Sequence, residues 1–174
     1  MNDECERHNV MDQARAGTLT ARHMSKLTRD EAMRLLGGVS LGRIVFTQDA
    51  LPTIRPVNHL LDADGHIVIR THHGAALTDH TAGAGTRGGV VVAYEAEQID
   101  PDTHLGWSVI VTGYARLVRD PDQLARYQAM LEPWVDHTMD QAVRIRPDIV
   151  TGFRLTATPD PHPSETGRSG PCAQ

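Results

Sequence analysis

The stretch "GRIVFTQDALPTIRPVNHLLD", Gly42–Asp62, decides how this chain folds. Two β-type runs, "GRIVFT" (42–47) and "LPTIRPVNHLLD" (51–62), flank "QDA", a connection of hairpin length. Upstream the pattern is helical. "LTRDEAMRLLGG" sets Thr28 at an N-cap with Glu31 three residues on, a capping box, and Leu27 is placed as its staple. Ala32, Leu35 and Leu36 share one face, and Gly37–Gly38 stop the helix. Downstream, "DADG" (62–65) is a second turn and "HIVIRT" (66–71) a third strand, followed by a short helix over 75–82. "TAGAGTRGG" (81–89) reads as a flexible loop. "VVVAYEAEQI" (90–99) and "GWSVIVTGYARLV" (106–118) are two further strands, the second bent or bulged at Gly113. In "DPDQLARYQAMLEPW", Asp120 caps a second long helix with Pro121 at its first position and Gln123 completing the box. "VRIRPDIVTGFRLTA" (143–157) reads as a last strand or pair of strands interrupted by Pro147.

Five to seven strands with short turns, one opening helix and one late helix predict a mainly β fold, a small antiparallel barrel. A doubly wound sheet needs helices between most strands, and there are too few. A sandwich fits the strand count but not the helices. Residues 1–25 are polar without periodicity and read as a disordered N-terminal tail. Residues 158–174 belong to a Pro/Ser/Gly-rich stretch and read as a disordered C-terminal tail, so the folded domain is 26–157.

Composition excludes several function classes. At 174 residues the chain can bury a proper core, and with a net charge of −5 and a pI near 6.0 it carries no basic field for nucleic acid. Aromatic residues make up 4%, too few for a single-strand stacking platform. Lys26 is the only lysine, and every other basic side chain besides histidine is arginine. Cys5 and Cys172 lie at opposite ends, which suits neither a structural disulfide nor a metal site. The N-terminus has no apolar segment of signal-peptide type, and no run approaches the roughly 20 residues needed to span a bilayer. A cytoplasmic protein that meets neither membrane nor nucleic acid is the expectation.

Few residues announce chemistry. His72–His73 are adjacent, so on a strand they point to opposite faces, and no cysteine or carboxylate cluster joins them or His80; no metal site is expected. No nucleophile elbow, Walker loop or dinucleotide fingerprint is present, and the glycines of "AGAGTRGG" precede a strand rather than a helix. "IRPVNHLLD" (54–62) is more informative. It puts Arg55, Asn58 and His59 in a strand, and Pro56 marks an edge or bulge where backbone groups stay open to a ligand. An edge strand with ordinary polar residues is the alternative. Trp107 and Trp134 read as core or interface residues rather than a cofactor stack.

The order of these segments, with "RPVNH" and "GWSVIVTG" as its most specific pieces, resembles the pyridoxamine 5′-phosphate oxidase-like flavin-binding split barrels. The branch holding the nitroimidazole-resistance proteins and small actinobacterial relatives is the most similar. The resemblance covers about 27–155 and implies a six-stranded Greek-key split barrel, usually a homodimer with FMN in the grooves between subunits. Carried over by position, it places Arg55 near the phosphate or ring edge, and Val57 and Asn58 against the isoalloxazine. Arg70 and Thr71 are offered to the phosphate, Gly74 and Ala75 form the turn that encloses it, and Trp107 lies towards the flavin or the subunit boundary. A helix start near Ala75 would add backbone N–H donors for that phosphate.

One departure stands out: many relatives carry Lys or Arg where this chain has Ala76. Losing such a charge-assisted contact costs about 1.5–3 kcal/mol, which Arg87, His72 or His73 would have to offset. The resemblance implies an FMN-dependent oxidoreductase acting on a small electrophile. The deazaflavin F420 as the cofactor, or a non-catalytic flavin- or haem-binding dimeric barrel, are the alternatives. His59 is the residue to which a proton-transfer role would fall, with a place in the barrel wall as the competing reading.

Overall fold

The computed structural model describes residues 22–83, 89–132, 134 and 138–158. Contacts divide the chain into Met24–Leu155 and a smaller unit of the two termini, of which the described part is the outer ends of the first and last strands. The predicted tails at 1–21 and 159–174, the loop residues 84–88 with Arg87, and both cysteines lie outside the described residues.

Among the described residues seven strands and three helices alternate in the order β1 (Arg22–Lys26), α1 (Arg29–Leu36), β2 (Leu41–Gln48), β3 (Leu51–Leu61), β4 (Ile67–Thr71), α2 (Ala76–Gly83), β5 (Val90–Ile99), β6 (Gly106–Leu117), α3 (Pro121–Met130) and β7 (Gln141–Ala157). The sheet runs β1-β7-β4-β3-β2-β5-β6, and β6 pairs back onto β7, which closes a ring of six antiparallel strands. The expected barrel is therefore present with one strand more than six. β1 is the addition, and it occupies 22–26, four residues of which fall within the stretch that reads as a disordered tail. Its sequence, "RHMSK", is polar and its burial pattern mostly exposed, so no apolar alternation marks it. Pairing with β7, not side-chain packing, holds it, and Leu27 N–H donates to Gly152 O at 2.9 Å just beyond its end.

The helices start where capping predicts. Thr28 and Glu31 form the reciprocal box, with Glu31 N–H donating to Thr28 Oγ1 at 3.3 Å and Thr28 N–H to Glu31 Oε2 at 2.9 Å. Asp120 Oδ1 accepts from Gln123 N–H at 2.9 Å, with Pro121 opening α3, but the Gln123 side chain does not return the bond, so the expected box is half formed. α1 closes one end of the barrel by burying Ala32 and Leu36 against a core of Ile44, Ile67, Ile69, Tyr94, Val109, Val111 and Ile145. The last strand is continuous, not two pieces. Between Thr112 and Gly113 the β6–β7 register shifts, so the partner changes from Ile149 to Pro147 and the bulge absorbs the proline. Gly113 is required there, since a Cβ would collide with the Arg146 carbonyl oxygen.

β3 and β4 pair only through His59↔Ile69, Leu60↔Val68 and Leu61↔Ile67. From Leu51 to Asn58, β3 is paired with β2 alone. The barrel wall is parted at this point, and the residues of "RPVN" line the parting.

Candidate functional site

Extending the β3–β4 register past its last pair sets Asn58 level with Arg70 and Val57 level with Thr71. Five of the predicted site residues, Arg55, Val57, Asn58, Arg70 and Thr71, are thereby brought to the mouth where the strands diverge. Gly74 and Ala75 follow directly in the turn that leaves β4. Trp107 does not join them. It lies on β6 opposite Gln98 and Arg154, is 7% exposed and packs in the core. Trp134 is exposed.

Two of the mouth residues have their donors engaged by the chain itself. Arg70 donates through Nε to Met139 O at 3.0 Å and through Nη1 to Leu131 O at 3.1 Å, with Nη2 also directed at Met139 O. Asn58 Nδ2 donates to Glu132 O at 2.8 Å. Both side chains hold the segment that follows α3, at the carbonyls of Leu131, Glu132 and Met139. The sequence motif marked these two for a cofactor; the structure shows them clamping the helix end across the parted strands.

Thr71 is likewise engaged. Thr78 Oγ1 donates to His72 O at 2.9 Å, so its contact of 3.0 Å with Thr71 Oγ1 has Thr71 as the donor. That bond braces the start of α2 against the end of β4. What the turn leaves open is backbone. Gly74 has φ +81° and nothing within 4 Å of where a Cβ would be. Ala75 N–H donates to His72 O, and the first i→i−4 bond is Asp79 N–H to Ala75 O. The amides of residues 76–78 precede that ladder, and Ala75 has no side-chain oxygen to cap them. Arg55 is exposed, and its Nη1 donates to the neighbouring carbonyl, Ile54 O, at 2.9 Å. The turn therefore fits a phosphate through backbone N–H groups, and among the described residues Arg55, on the diverging strand, pairs with no acidic side chain.

His59, the residue to which a proton-transfer role would fall, is buried in the barrel wall. It is 3% exposed, its Nε2–H donates to Leu36 O at 3.0 Å, and Nδ1 accepts from Tyr94 Oη–H at 2.8 Å. The two bonds define the tautomer and occupy both nitrogens, the arrangement of a barrel-wall histidine. Burial pushes the imidazole below its ordinary pKa, which the bond to Leu36 O only partly opposes. Burial also pushes the Tyr94 hydroxyl well up, so the pair stays neutral.

Sequence reasoning missed a second polar junction at the opposite end of β4. Asp62 Oδ2 accepts from Tyr127 Oη–H at 2.8 Å and from Arg144 Nε at 2.8 Å, while Oδ1 accepts from the amides of Asp64 and His66. Burial raises the Asp62 carboxyl, but the His66 amide, the Tyr127 hydroxyl and Arg144 outweigh it and hold the pKa low. Burial, then the bond to Asp62, push the Tyr127 phenol up to about 12. Asp62, Asp64 and His66 lie close enough to suggest a cation site, yet Arg144 already occupies that space with contacts to all three. The turn signal "DADG" was visible in sequence; the partners, 65 and 82 residues away, were not.

Comparisons with known proteins agree with the geometry. A family model described as pyridoxamine 5′-phosphate oxidase matches residues 28–154. Rv0080 of Mycobacterium tuberculosis, an uncharacterised protein, is 52% identical over 143 residues, covering 82% of this chain and 93% of the relative. The crystal structure of a candidate pyridoxamine 5′-phosphate oxidase from Corynebacterium glutamicum is similar at 32% identity and a TM-score of 0.62, over 78% of this chain and 95% of that one. An FAD binding protein from Mycobacterium smegmatis is similar at 31% identity and a TM-score of 0.55, over 76% of this chain and 98% of that one.

Proposed function

The chain belongs to the pyridoxamine 5′-phosphate oxidase family, and from that premise we propose that it binds FMN and acts as an oxidoreductase on a small molecule. The observation that carries this reading is the parted wall between β3 and β4, which opens beside a turn whose amides are uncapped. Gly74, Ala75 and the first amides of α2 would hold the phosphate, with Arg55 as the supporting charge and Val57 against the ring. A flavin supplies the hydride and electron transfer itself, and the protein orients substrate and excludes water. The M. smegmatis relative named for FAD binding supports a flavin in this fold.

The cofactor groove is completed in this reading by a second copy of the chain. Across β3, β2, β5, β6 and β7 the register lines up Ile54, Val45, Ala93, Thr112 and Ile149 on one outward face, with Ile110 and Phe153 beside them. Ile54, Ile110 and Ile149 are 56%, 47% and 62% exposed, an apolar sheet face of the kind that another subunit covers. A non-catalytic flavin- or haem-binding barrel is the second reading. The neutral Ala76 and the engagement of Arg70 and Asn58 within the chain favour it.

An absorption spectrum of the purified protein, repeated during titration with FMN and then F420, tests the proposal. Flavin bands retained through gel filtration, together with turnover when a reductant and a quinone or nitro acceptor are added, are expected. A retained flavin without turnover moves the conclusion to the non-catalytic barrel, and preferential retention of F420 replaces FMN as the cofactor. Retention of neither cofactor at micromolar concentration overturns the proposal.

A further inference from the structure

At the far end of β4 from the phosphate turn lies a pocket of about 110 Å³ lined by His66, Tyr114, Arg116, Arg144 and Arg146. We propose that it is a second binding site, which takes the phosphoryl group of a small organic phosphate. β4 is five residues long, so the pocket and the turn after Thr71 are separated by about 17 Å of strand. The inference stands whether or not a flavin occupies the first site.

Three observations point to an anion. First, Arg116 and Arg144 are direct cross-strand partners, as are Tyr114 and Arg146, so all four side chains share one face of β6–β7. Like charges placed directly opposite destabilise a sheet, and a bound anion relieves that repulsion. Second, the compensation inside the chain is incomplete. Arg144 is held by Asp62 at 2.8 Å and Asp64 at 2.6 Å, and Arg146 by Asp148 at 2.9 Å. Among the described residues Arg116 makes no ion pair or hydrogen bond, and it is exposed. Third, the pocket wall is rich in donors, and the Tyr114 hydroxyl can donate as well as accept. Arg144 Nη2 donates to His66 Nδ1 at 2.9 Å, which leaves the imidazole with its Nε2–H as a donor. Arg146 lies over the Tyr114 ring at 5.4 Å, which fixes its fork. Among the described residues no carboxylate lines the pocket. Nε and Nη2 of both Arg144 and Arg146 are held by carboxylates, so the unengaged guanidinium fork of Arg116, beside a phenol and an imidazole, is the group that matches the oxygens of a phosphoryl group.

The pocket does not end at the arginines. His66 and Arg146 also line a trough of about 500 Å³ that runs to α1, where Met33, Leu61 and Pro147 give it apolar surface. Arg29, Arg34, Asp30 and Asp64 edge the trough. A phosphoryl head in the pocket with a small apolar body in the trough fits both the chemistry and the size of a small-molecule site.

Phenyl phosphate titrated into the ¹⁵N-labelled full chain at constant ionic strength, followed by NMR, tests this. Saturable shifts are expected at the amides of residues 114–116 and 144–146 and along Met33 and Leu61. Arg116→Ala should weaken binding roughly tenfold or more, and Arg116→Lys, which keeps the charge but loses the fork, by less. Without ligand, Arg116→Ala should melt no lower than the wild type, because its like-charged neighbour is relieved. Shifts confined to residues 71–77, shifts reproduced by sodium chloride, or undiminished binding by Arg116→Ala would each overturn the proposal.

Discussion

His59 carries two ring nitrogens into a site where water does not reach, so each must find a protein partner. Leu36 O and the Tyr94 hydroxyl are those partners, and they tie the end of α1, β3 and β5 to one imidazole. Tyr94→Phe removes only an oxygen but strands Nδ1. A loss of about 1–3 kcal/mol is expected in urea unfolding, the cost of a buried unsatisfied acceptor. Because burial depresses the folded pKa, the unfolded chain takes up a proton first as pH falls below the ordinary histidine value of 6.5. Stability contributed by the neutral imidazole is complete above that value and declines as pH falls towards the folded pKa. Urea midpoints measured between pH 8 and pH 5 should fall for the wild type and flatten in part for His59→Asn. A midpoint equally steep in both proteins would assign the pH dependence elsewhere.

The β2–β3 hairpin was legible as a hairpin, but its turn chemistry was not. Gln48 pairs with Leu51, so the turn has two residues rather than the three of "QDA", and both have positive φ, 51° at Asp49 and 64° at Ala50. Two-residue hairpin turns of this hand want Gly at the second position, and an alanine there is strained. Ala50→Gly is expected to raise stability by about 0.5–1 kcal/mol after the entropy of the freer unfolded chain is counted. An unchanged or lower urea midpoint would show that the turn relaxes around alanine. Elements with local signals were read correctly: the capping box of α1, Asp120–Pro121 before α3, and the bulge at Gly113. β1 was missed because polar alternation is absent, and β7 was read as interrupted because a proline is compatible with a strand only where the partner's register shifts. At the candidate site, the sequence motif located the mouth, since "RPVN" and "RT" do converge there. It could not show that Arg70 and Asn58 spend their donors on Leu131, Met139 and Glu132, because those contacts span 61 to 74 residues of chain.

At the scale of the whole molecule, a closed ring of strands ought to present a polar exterior, yet one outward face is apolar over five strands. Along the row Ile54, Val45, Ala93, Thr112 and Ile149 the only polar side chain is a threonine, and Ile110 and Phe153 extend the patch along β6 and β7. Among the described residues the ion-paired group inside it is Arg43 with Glu95 and Glu97, at 3.0 and 3.3 Å. Leaving such a face in solvent forgoes about 25 cal/mol for every Å² of apolar surface, whereas a second copy covering it recovers that energy symmetrically. Sedimentation equilibrium at tens of micromolar should therefore give twice the 19.1 kDa chain mass. Ile110→Arg combined with Ile149→Arg places like charges at the centre of this apolar face and should give a monomer. If the flavin groove is built between copies, the same variant should lose retained FMN although Arg55, Gly74 and α2 are untouched. A monomeric wild type would remove the partner from the proposal, and a monomeric variant that keeps its flavin would place the whole cofactor site within one chain.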